Sequence, residues 1–261
     1  MRPIGLLMLL PTRTHSARRR FRPGLLACFF AASPVLVSVA WGVEIEPDRR
    51  SIRQGRNPAT GHVTCGSGSG TAQLVGSQNV IITAAHVLYG RNGLRGAPGT
   101  CTFSLMINSE RRSFLIDTSR IRAGTEQPYA MPASFDWAVA RLSSPVEGTT
   151  PYAFGSSPSS GQAVTLVSGR TLGVTRGVIT EDCQVRALRN AEGGRETMLD
   201  CSAQSGDSGA AVLDRAGRIA AIYVGFRSTA PQSRQIFSSD HYNFAVSVNA
   251  RMRMAVSEMT R

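Results

Sequence analysis

The chain has 261 residues, of which 42% are hydrophobic and 18% charged, a composition that suits a globular protein with a substantial core and not a disordered chain. Its formal charge of +12 comes from arginine alone, because the sequence contains no lysine. Six of these arginines precede residue 41, where no acidic residue occurs, so the rest of the chain is only mildly basic. No helix-turn-helix, zinc-finger or aromatic RNA-binding pattern accompanies the charge, and nucleic acid is therefore not an expected partner.

Residues 1–42 are predicted to be an export signal. An arginine-rich start leads into a largely apolar run over residues 24–42, and the chain then becomes polar. A cut after Ala40 or after Gly42 fits the preference for small residues before the scissile bond. The alternative is a membrane anchor, since an apolar run of this length is just long enough to span a bilayer. We favour the cleaved signal, which predicts an exported protein, periplasmic or secreted, with no stable membrane association.

Four cysteines remain once Cys28 leaves with the signal: Cys65, Cys101, Cys183 and Cys201. An even number in an exported chain predicts two disulfides. Of the three possible pairings we expect Cys65 with Cys101 and Cys183 with Cys201, which puts one bridge in each half of the chain. The long spacings, without a Cys-x-x-Cys pair, argue against a zinc site. No metal and no cofactor is expected.

Residues 43–62 are polar and interrupted by proline and glycine, which predicts an extended lead-in or short pro-segment that contributes little to the fold. From Val63 onward, short apolar runs alternate with glycine-rich turns, a pattern typical of β-strands. The runs of the first group cover residues 71–75, 79–83, 101–107, 113–116 and 137–142.

A second group of apolar runs follows a joint at residues 144–161 that is rich in proline, serine and glycine. Its members cover residues 163–167, 171–179, 184–187, 196–201, 210–213, 218–224 and 243–248. Two groups of about six short strands predict two β-barrels, over residues 63–150 and 151–261. A terminal helix is predicted over residues 249–260, where Asn249 can cap the helix and Val248, Met252 and Val256 keep helical spacing.

The motif Gly206-Asp207-Ser208-Gly209 contains a candidate nucleophile. A serine that cleaves peptide bonds needs a base, a group that holds the base, and backbone N–H donors for the oxyanion. Gly206 lets the backbone turn so that its N–H and that of Ser208 point the same way, as an oxyanion hole requires. The same four residue types are also common in ordinary turns, so the motif alone does not decide.

A candidate base and a candidate orienting carboxylate stand upstream of this serine. His86 follows the apolar run that ends at residue 83, where a buried strand leads into a loop. A histidine in this place can also be a core or surface residue satisfied by hydrogen bonds. Asp136 opens the apolar run at 137–142, and burying a lone carboxylate is costly unless a partner offsets it. The Nδ1–H of a histidine would be such a partner.

In this order the motifs Thr83-Ala84-Ala85-His86, Asp136-Trp137-Ala138-Val139 and Gly206-Asp207-Ser208-Gly209 resemble those of the trypsin/chymotrypsin-like serine peptidases, particularly the bacterial glutamyl-endopeptidase-like branch. The resemblance covers about residues 63–256. It implies an all-β fold of two six-stranded antiparallel barrels with a C-terminal helix, and a site in the cleft between them.

The resemblance also implies a role for each motif residue. Ser208 would be the nucleophile, His86 the general base and then acid, and Asp136 the group that fixes the histidine tautomer. The N–H groups of Gly206 and Ser208 would form the oxyanion hole. The chain lacks an Ile-Val-Gly-Gly start, so a new N-terminus is not the expected partner of Asp207, and an arginine is the candidate.

The substrate pocket implied by the resemblance has few readable features. Its residues would be Ser202, Ala203, Tyr223, Val224 and Gly225. Ser202 stands near the place where trypsins carry an acid, which predicts no preference for Arg or Lys. Tyr223 or Val224 stands where the glutamyl branch usually has a histidine.

The loop that follows contains three further candidates for substrate selection. His241 is an alternative pocket histidine, although a surface histidine is the expectation. Arg227 and Arg234 either favour acidic substrates or belong to a solvated loop.

The predicted function is that of an exported, monomeric serine endopeptidase acting on protein or peptide substrates. The alternative is a catalytically silent, chymotrypsin-fold binding protein, which usually lacks a triad residue, whereas this chain retains all three. An esterase of the α/β-hydrolase type needs Gly-x-Ser-x-Gly and the order Ser, acid, His. This chain has the order His86, Asp136, Ser208 and lacks the last glycine of that motif.

Overall fold

The computed structural model describes residues 42–172 and 174–261. The predicted export signal therefore lies outside the described residues, apart from Gly42. Within the described ranges no helix has the length and apolar character needed to cross a membrane.

The first part of the described chain contains ten strands and a single helical turn. In chain order these are β1 (Ile45–Glu46), β2 (Arg50–Gln54), β3 (Thr60–Cys65), β4 (Gly68–Leu74), β5 (Val80–Thr83), α1 (Ala85–Leu88), β6 (Tyr89–Gly90), β7 (Gly93–Leu94), β8 (Thr102–Ile107), β9 (Glu110–Ala123) and β10 (Ala138–Leu142). A short 3-10 helix, Ala133–Phe135, precedes β10.

The second part contains seven strands and the terminal helix. These are β11 (Ala163–Ser168), β12 (Gly177–Ala191), β13 (Gly194–Leu199), β14 (Ala211–Leu213), β15 (Ile219–Ser228), β16 (Gln235–Ile236), β17 (His241–Ser247) and α2 (Ala250–Thr260).

The strands form two antiparallel barrels, which confirms the predicted fold class. The first is closed in the order β10-β5-β4-β3-β8-β9. The second runs β11-β14-β15-β17-β13-β12 and closes through pairing of β11 with β12. The hairpin between β8 and β9 turns on Asn108 and Ser109, whose φ angles are 48° and 66°. Two consecutive left-handed residues give a turn whose twist matches that of the flanking strands.

The prediction that residues 43–62 contribute little to the fold is wrong. β2 pairs with β12 and adds a strand to the second barrel, and β3 of the first barrel already begins at Thr60. The polar residues of β2 gave no apolar signal because this strand lies at the edge of the sheet, where side chains reach solvent.

The prediction of a strand over residues 171–179 is also wrong, because β12 begins only at Gly177. That strand continues to Ala191 and includes the separately predicted run 184–187. The predicted terminal helix is confirmed as α2. The side chain of Asn249 accepts a hydrogen bond from Met252 N (3.0 Å) as its cap, and Met252 and Val256 are buried in a core that includes residues of both barrels.

The structure contains both expected disulfides, one in each half of the chain. Cys65 at the end of β3 is joined to Cys101, directly before β8. Cys183 in β12 is joined to Cys201, directly before Ser202. Each bridge therefore fixes a loop that leads toward the residues of the candidate site.

Candidate active site

His86 lies on the single helical turn that follows β5. The four residues of β5 are all buried and β-branched, which suits a central strand. Ala84 still has extended backbone and α1 begins at Ala85, so the chain turns abruptly at the strand end. The hydroxyl of Thr83 donates to the carbonyl of Thr71 (2.7 Å) and fixes that end. The imidazole of His86 is buried as a result.

Asp136 is buried against His86 and accepts two hydrogen bonds from it. The backbone N–H of His86 donates to Oδ1 (2.8 Å), and Nδ1 donates to Oδ2 (2.7 Å). Because an ionised carboxylate can only accept, the ring hydrogen sits on Nδ1 and Nε2 is the basic nitrogen. Asp136, which lies between the 3-10 helix and β10, therefore has the histidine partner that its burial requires.

Ser208 lies in a tight loop between two glycines with left-handed backbone, Gly206 (φ 92°) and Gly209 (φ 86°). A Cβ on Gly209 would lie 2.0 Å from the carbonyl oxygen of Thr71, so only glycine fits there. Thr71 belongs to β4 of the first barrel. Its N–H donates to the Ser208 carbonyl (2.7 Å) and its hydroxyl to the Gly206 carbonyl (3.0 Å). The first barrel thus holds the serine loop of the second.

His86 and Ser208 line the same cavity, whose volume is about 170 Å³. The other lining residues are Ser67, Gly68, Ser69, Arg95, Ser205 and Gly206. The structure therefore brings together the imidazole, the carboxylate and the hydroxyl of the three sequence motifs. An imidazole oriented by a carboxylate beside a serine hydroxyl is an arrangement suited to nucleophilic acyl transfer.

Asp207, beside the serine, is fully buried and has the arginine partner that the sequence suggested. The Nε of Arg170 lies 2.8 Å from Asp207 Oδ1, an ion pair in which the N–H does not point at the carboxylate. The Ser168 hydroxyl donates to Oδ1, and the N–H of Gln204 donates to Oδ2 (2.7 Å). Burial raises the pKa of Asp207, and the charge of Arg170 opposes that rise. The acid is thus paired within the chain.

The residues predicted to form the substrate pocket lie together in the second barrel, and most are buried. They are Ser202, Ala203, Tyr223, Val224 and Gly225, of which only Gly225 is more than 5% exposed. The Ser202 hydroxyl accepts from the N–H of Ile45 (2.8 Å) and donates to its carbonyl (2.9 Å). This hydroxyl is therefore engaged by the lead-in segment.

Asn243 holds the same segment in place, and sequence reasoning missed it. Its Oδ1 accepts from Val43 N (3.1 Å) and from the hydroxyl of Tyr223 (2.9 Å). Its Nδ2 donates to the carbonyls of Val43 (2.6 Å) and Cys201 (2.7 Å). A polar residue ahead of the apolar run Phe244-Ala245-Val246 was the available signal, and it is the same kind of signal that identified Asp136.

Glu181 is a second buried acid, and it contacts Ser202 of the predicted substrate pocket. It points into the second barrel from β12, and its Oε2 accepts from Ser202 N (2.9 Å). Its Oε1 is 3.7 Å from Arg49 Nε, with no hydrogen-bond partner among the described residues. Burial raises the pKa of Glu181 to about 7, against the lowering effects of the Ser202 hydrogen bond and of Arg49.

The expectation that His241 is a surface residue is wrong. It is buried, with Nδ1 against the Ser228 hydroxyl (2.8 Å) and Nε2 against the Glu44 carbonyl (3.0 Å). Arg234 pairs with Glu44 (2.7 Å). Nη2 of Arg227 lies 3.6 Å from Oε1 of Glu196, and its guanidinium carbon lies 4.5 Å from the centre of the Phe244 ring. Both arginines are thus engaged within the chain, which removes the reason for assigning them to substrate.

A double barrel with a buried His–Asp pair beside a serine defines the class of chymotrypsin-fold serine peptidases. The sequence profile of the trypsin-like peptidase domain matches residues 68–222, more than half of the chain. The chain therefore belongs to the trypsin-like peptidase family. No curated protein gives a significant sequence match.

Solved structures with the same fold include peptidases and an inactivated relative. A Glu endopeptidase aligns with a TM-score of 0.65 and 16% identity, over 84% of this chain and 100% of its own. The thermostable serine protease AL20 from an extremophilic microorganism aligns at 0.57 and 16%, over 77% and 96%. The scabies mite inactivated protease paralogue S-D1 aligns at 0.58 and 12%, over 82% and 96%. At these identities the likeness shows the fold.

Proposed function

We propose that the protein is an exported serine endopeptidase that cleaves peptide bonds through an acyl-enzyme on Ser208. The observation that carries this proposal is the pair of hydrogen bonds from His86 to Asp136, together with the cavity that His86 and Ser208 both line. Membership of the trypsin-like peptidase family implies protein or peptide substrates. His86 serves as general base and acid, and Asp136 orients it.

In the first half of the reaction, Nε2 of His86 takes the proton from the Ser208 hydroxyl as the oxygen attacks the scissile carbonyl. Asp136 keeps the ring hydrogen on Nδ1 and stabilises the imidazolium that forms. The N–H groups of Gly206 and Ser208 stabilise the oxyanion, with Thr71 holding the carbonyls of both residues. The imidazolium then gives its proton to the leaving amine, and the acyl group stays on the serine.

In the second half, water attacks the acyl-enzyme. His86 takes a proton from that water, the second tetrahedral intermediate collapses, and the proton returns to the Ser208 oxygen. The carboxylic acid product leaves and the free serine is restored. The ion pair of Asp207 with Arg170 supports the loop without a newly formed N-terminus, so this support does not depend on proteolytic activation.

Export is supported by the apolar run at residues 24–42 and by the two disulfides, which are typical of oxidising compartments. Both cut positions inferred from the sequence, after Ala40 and after Gly42, leave the contacts of Val43 with Asn243 and Ala203 intact. The mature protein is therefore expected to retain the lead-in segment.

Active-site labelling with a fluorophosphonate probe tests this function. The wild-type protein should be labelled and should cleave a peptide library, whereas Ser208→Ala should do neither while keeping the same thermal melting profile. Ser205→Ala is the matched control, because it removes a neighbouring hydroxyl from the same cavity and should keep the labelling. His86→Ala should abolish labelling at neutral pH.

A well-folded wild-type protein that is neither labelled nor active on the library would refute the proposal. That result would favour the catalytically silent binding protein, a state for which the inactivated mite paralogue is a precedent within this fold. Labelling that persists in Ser208→Ala would also contradict the proposal, because the reactive group would then be another residue.

A further inference from the structure

Arg95 is a charged residue in the catalytic cavity that the mechanism does not use. It lines the cavity of about 170 Å³ together with His86 and Ser208. It comes directly after β7, and its N–H donates to the Leu88 carbonyl (2.8 Å). Ligand pockets for drug-sized molecules have volumes of about 300–1,000 Å³, so this cavity has room for a single side chain.

The side-chain hydrogen bonds of Arg95 go to neutral acceptors. Nε donates to the His86 carbonyl (3.0 Å), Nη1 donates to the Ser67 hydroxyl (3.1 Å), and Nη2 donates to the Tyr129 hydroxyl. All three acceptors are neutral, and none of the ion pairs among the described residues involves Arg95. A guanidinium has five N–H groups, so two donors remain for a ligand.

The position of Arg95 is fixed by close packing of its loop. A Cβ on Gly68 would lie 2.5 Å from Arg95 Cδ, so the stem of the arginine rests against that glycine. A Cβ on Gly96 would lie 2.5 Å from Cys101 Sγ, which shows that the next residue packs on the first disulfide. The guanidinium is therefore held beside the cavity before any substrate binds, which reduces the entropic cost of using it.

Arg91 adds a second positive charge at this place. Its guanidinium carbon lies 5.4 Å from the centre of the Tyr129 ring, and that of Arg95 lies 5.9 Å from the same ring. The two arginines and the tyrosine form a basic rim, of which only Arg95 lines the cavity itself. An anionic side chain is the ligand that such a rim attracts.

The cavity lies on the leaving-group side of the scissile bond. In the proposed reaction His86 gives its proton to the leaving amine, so the residue that follows the scissile bond must lie on the imidazole side. The cavity is lined by His86, by first-barrel residues such as Ser67 and Ser69, and by the serine loop through Ser205, Gly206 and Ser208, but by none of the residues of β15. The acyl half of the substrate would instead bind on the side of β15, the strand that contains Tyr223.

We propose that Arg95 forms a leaving-group subsite that selects substrates with aspartate or glutamate directly after the scissile bond. The inference rests on the proposed peptidase function and adds the substrate class. The carboxylate of that residue accepts hydrogen bonds from the two remaining N–H groups of Arg95, and a neutral amide of the same shape cannot form an ion pair there.

The test uses internally quenched peptides with amidated C-termini, random residues before the scissile bond, and either Glu or Gln directly after it. We expect the wild-type protein to cleave the Glu peptides about tenfold better in kcat/KM, since a difference of that size corresponds to one charge-assisted hydrogen bond. Raising the salt concentration to 0.5 M should reduce the ratio through screening.

Substitution of Arg95 assigns the effect. Arg95→Gln should bring the Glu/Gln ratio close to one, and Arg95→Lys should restore part of it because the charge returns without the fork geometry. The Glu/Gln ratio of kcat/KM is the readout. Losing the hydrogen bond from Arg95 Nε to the His86 carbonyl would lower kcat/KM for both peptides equally and so would not change this ratio. Arg215→Gln removes an exposed arginine outside the site and should leave the ratio unchanged.

The possible failures are distinguishable. Cleavage by the wild-type protein with a Glu/Gln ratio of one, or a preference that survives in Arg95→Gln, overturns the subsite and leaves the peptidase function standing. Absence of both cleavage and fluorophosphonate labelling overturns the peptidase function and the subsite with it.

Discussion

Replacing Arg170 by glutamine tests whether an internal ion pair holds the serine loop in its working shape. Asp207 is 2% exposed and cannot reach solvent, and Arg170 Nε is 2.8 Å from its Oδ1. The substitution leaves a buried carboxylate without its positive partner. We expect a loss of folding stability and a loss of reactivity at Ser208, because Asp207 directly precedes this proposed nucleophile.

The size of the stability loss follows from what remains around Asp207. Breaking a buried ion pair by removing one partner costs about 3–5 kcal/mol. The hydrogen bonds from the Ser168 hydroxyl and the Gln204 N–H remain, and Arg170 itself is 19% exposed. The ion pair also lacks a directed hydrogen bond. We therefore expect the lower end of that range, about 3 kcal/mol.

The loss should depend on pH, and the sign can be worked out. Burial raises the pKa of Asp207 above its ordinary value, and removal of Arg170 raises it further. A buried acid with a raised pKa keeps its proton in the folded protein at pH values where the unfolded chain has lost it, so folding stability falls as pH rises. The deficit of Arg170→Gln should thus be smaller near pH 5 than near pH 8.

Urea unfolding followed by the fluorescence of the buried Trp137 measures the stability, and the rate of fluorophosphonate labelling measures the reactivity. We expect labelling to slow by about 10- to 100-fold, which is less than the 10²–10³ lost when an oxyanion donor is removed altogether. The double variant Arg170→Gln/Asp207→Asn removes both charges and should recover most of the stability. A deficit below about 1 kcal/mol with unchanged labelling would refute the reasoning, since typical surface ion pairs reach only that value.

Three further outcomes are expected. Glu181→Gln should remove a decrease of up to about 3 kcal/mol in the free energy of unfolding between pH 4.5 and pH 7, because the raised pKa of about 7 makes the native acid hold its proton there; the same change in the free energy of unfolding between pH 5 and pH 8 in the wild type and the variant would contradict this. Asn243→Leu should lower the free energy of unfolding measured in urea by about 2–4 kcal/mol, because four buried hydrogen bonds lose the amide of Asn243; Tyr223→Phe removes only one of these bonds and should cost about 1 kcal/mol. Deletion of residues 43–54 should lower the melting temperature, because it removes β2 from its pairing with β12 and exposes Ser202. An unchanged melting temperature would show that the segment is dispensable for stability.

Several features of the fold could be predicted because their signals are local. The β-branched run before His86, the acid at the start of an apolar strand and the Gly-Asp-Ser-Gly turn each reflect a need of their own short segment. The cap at Asn249 is equally local and correctly predicted α2. The run 171–179 was wrongly predicted as a strand because its threonines and valines favour strands. The actual strand, β12, begins only at Gly177, where its pairing with β2 begins, and its pairing with β11 reaches Ile179.

Other features depend on which segments meet in space. The polar edge strand β2 takes its conformation from pairing with β12, and the burial of His241 follows from the backbone of Glu44 lying against it. Arginine as the partner of Asp207 could be suggested from the missing N-terminal motif. Which of the 29 arginines it is could not be predicted, because Arg170 and Asp207 are distant in the sequence and meet only after the loop before β12 folds back on the serine loop.

The sequence by itself predicted the chemistry that we propose for this protein, since the residue types of a His–Asp–Ser site and the short segments that present them occur in three motifs. The tertiary structure alone decided how that chemistry is held and bounded. Thr71 of the first barrel holds the serine loop of the second, the lead-in segment covers Ser202, and Arg95 lines the cavity that contains His86 and Ser208. The physical reason is that a hydrogen bond or an ion pair depends on distances of a few ångströms between segments, and sequence separation does not encode those distances.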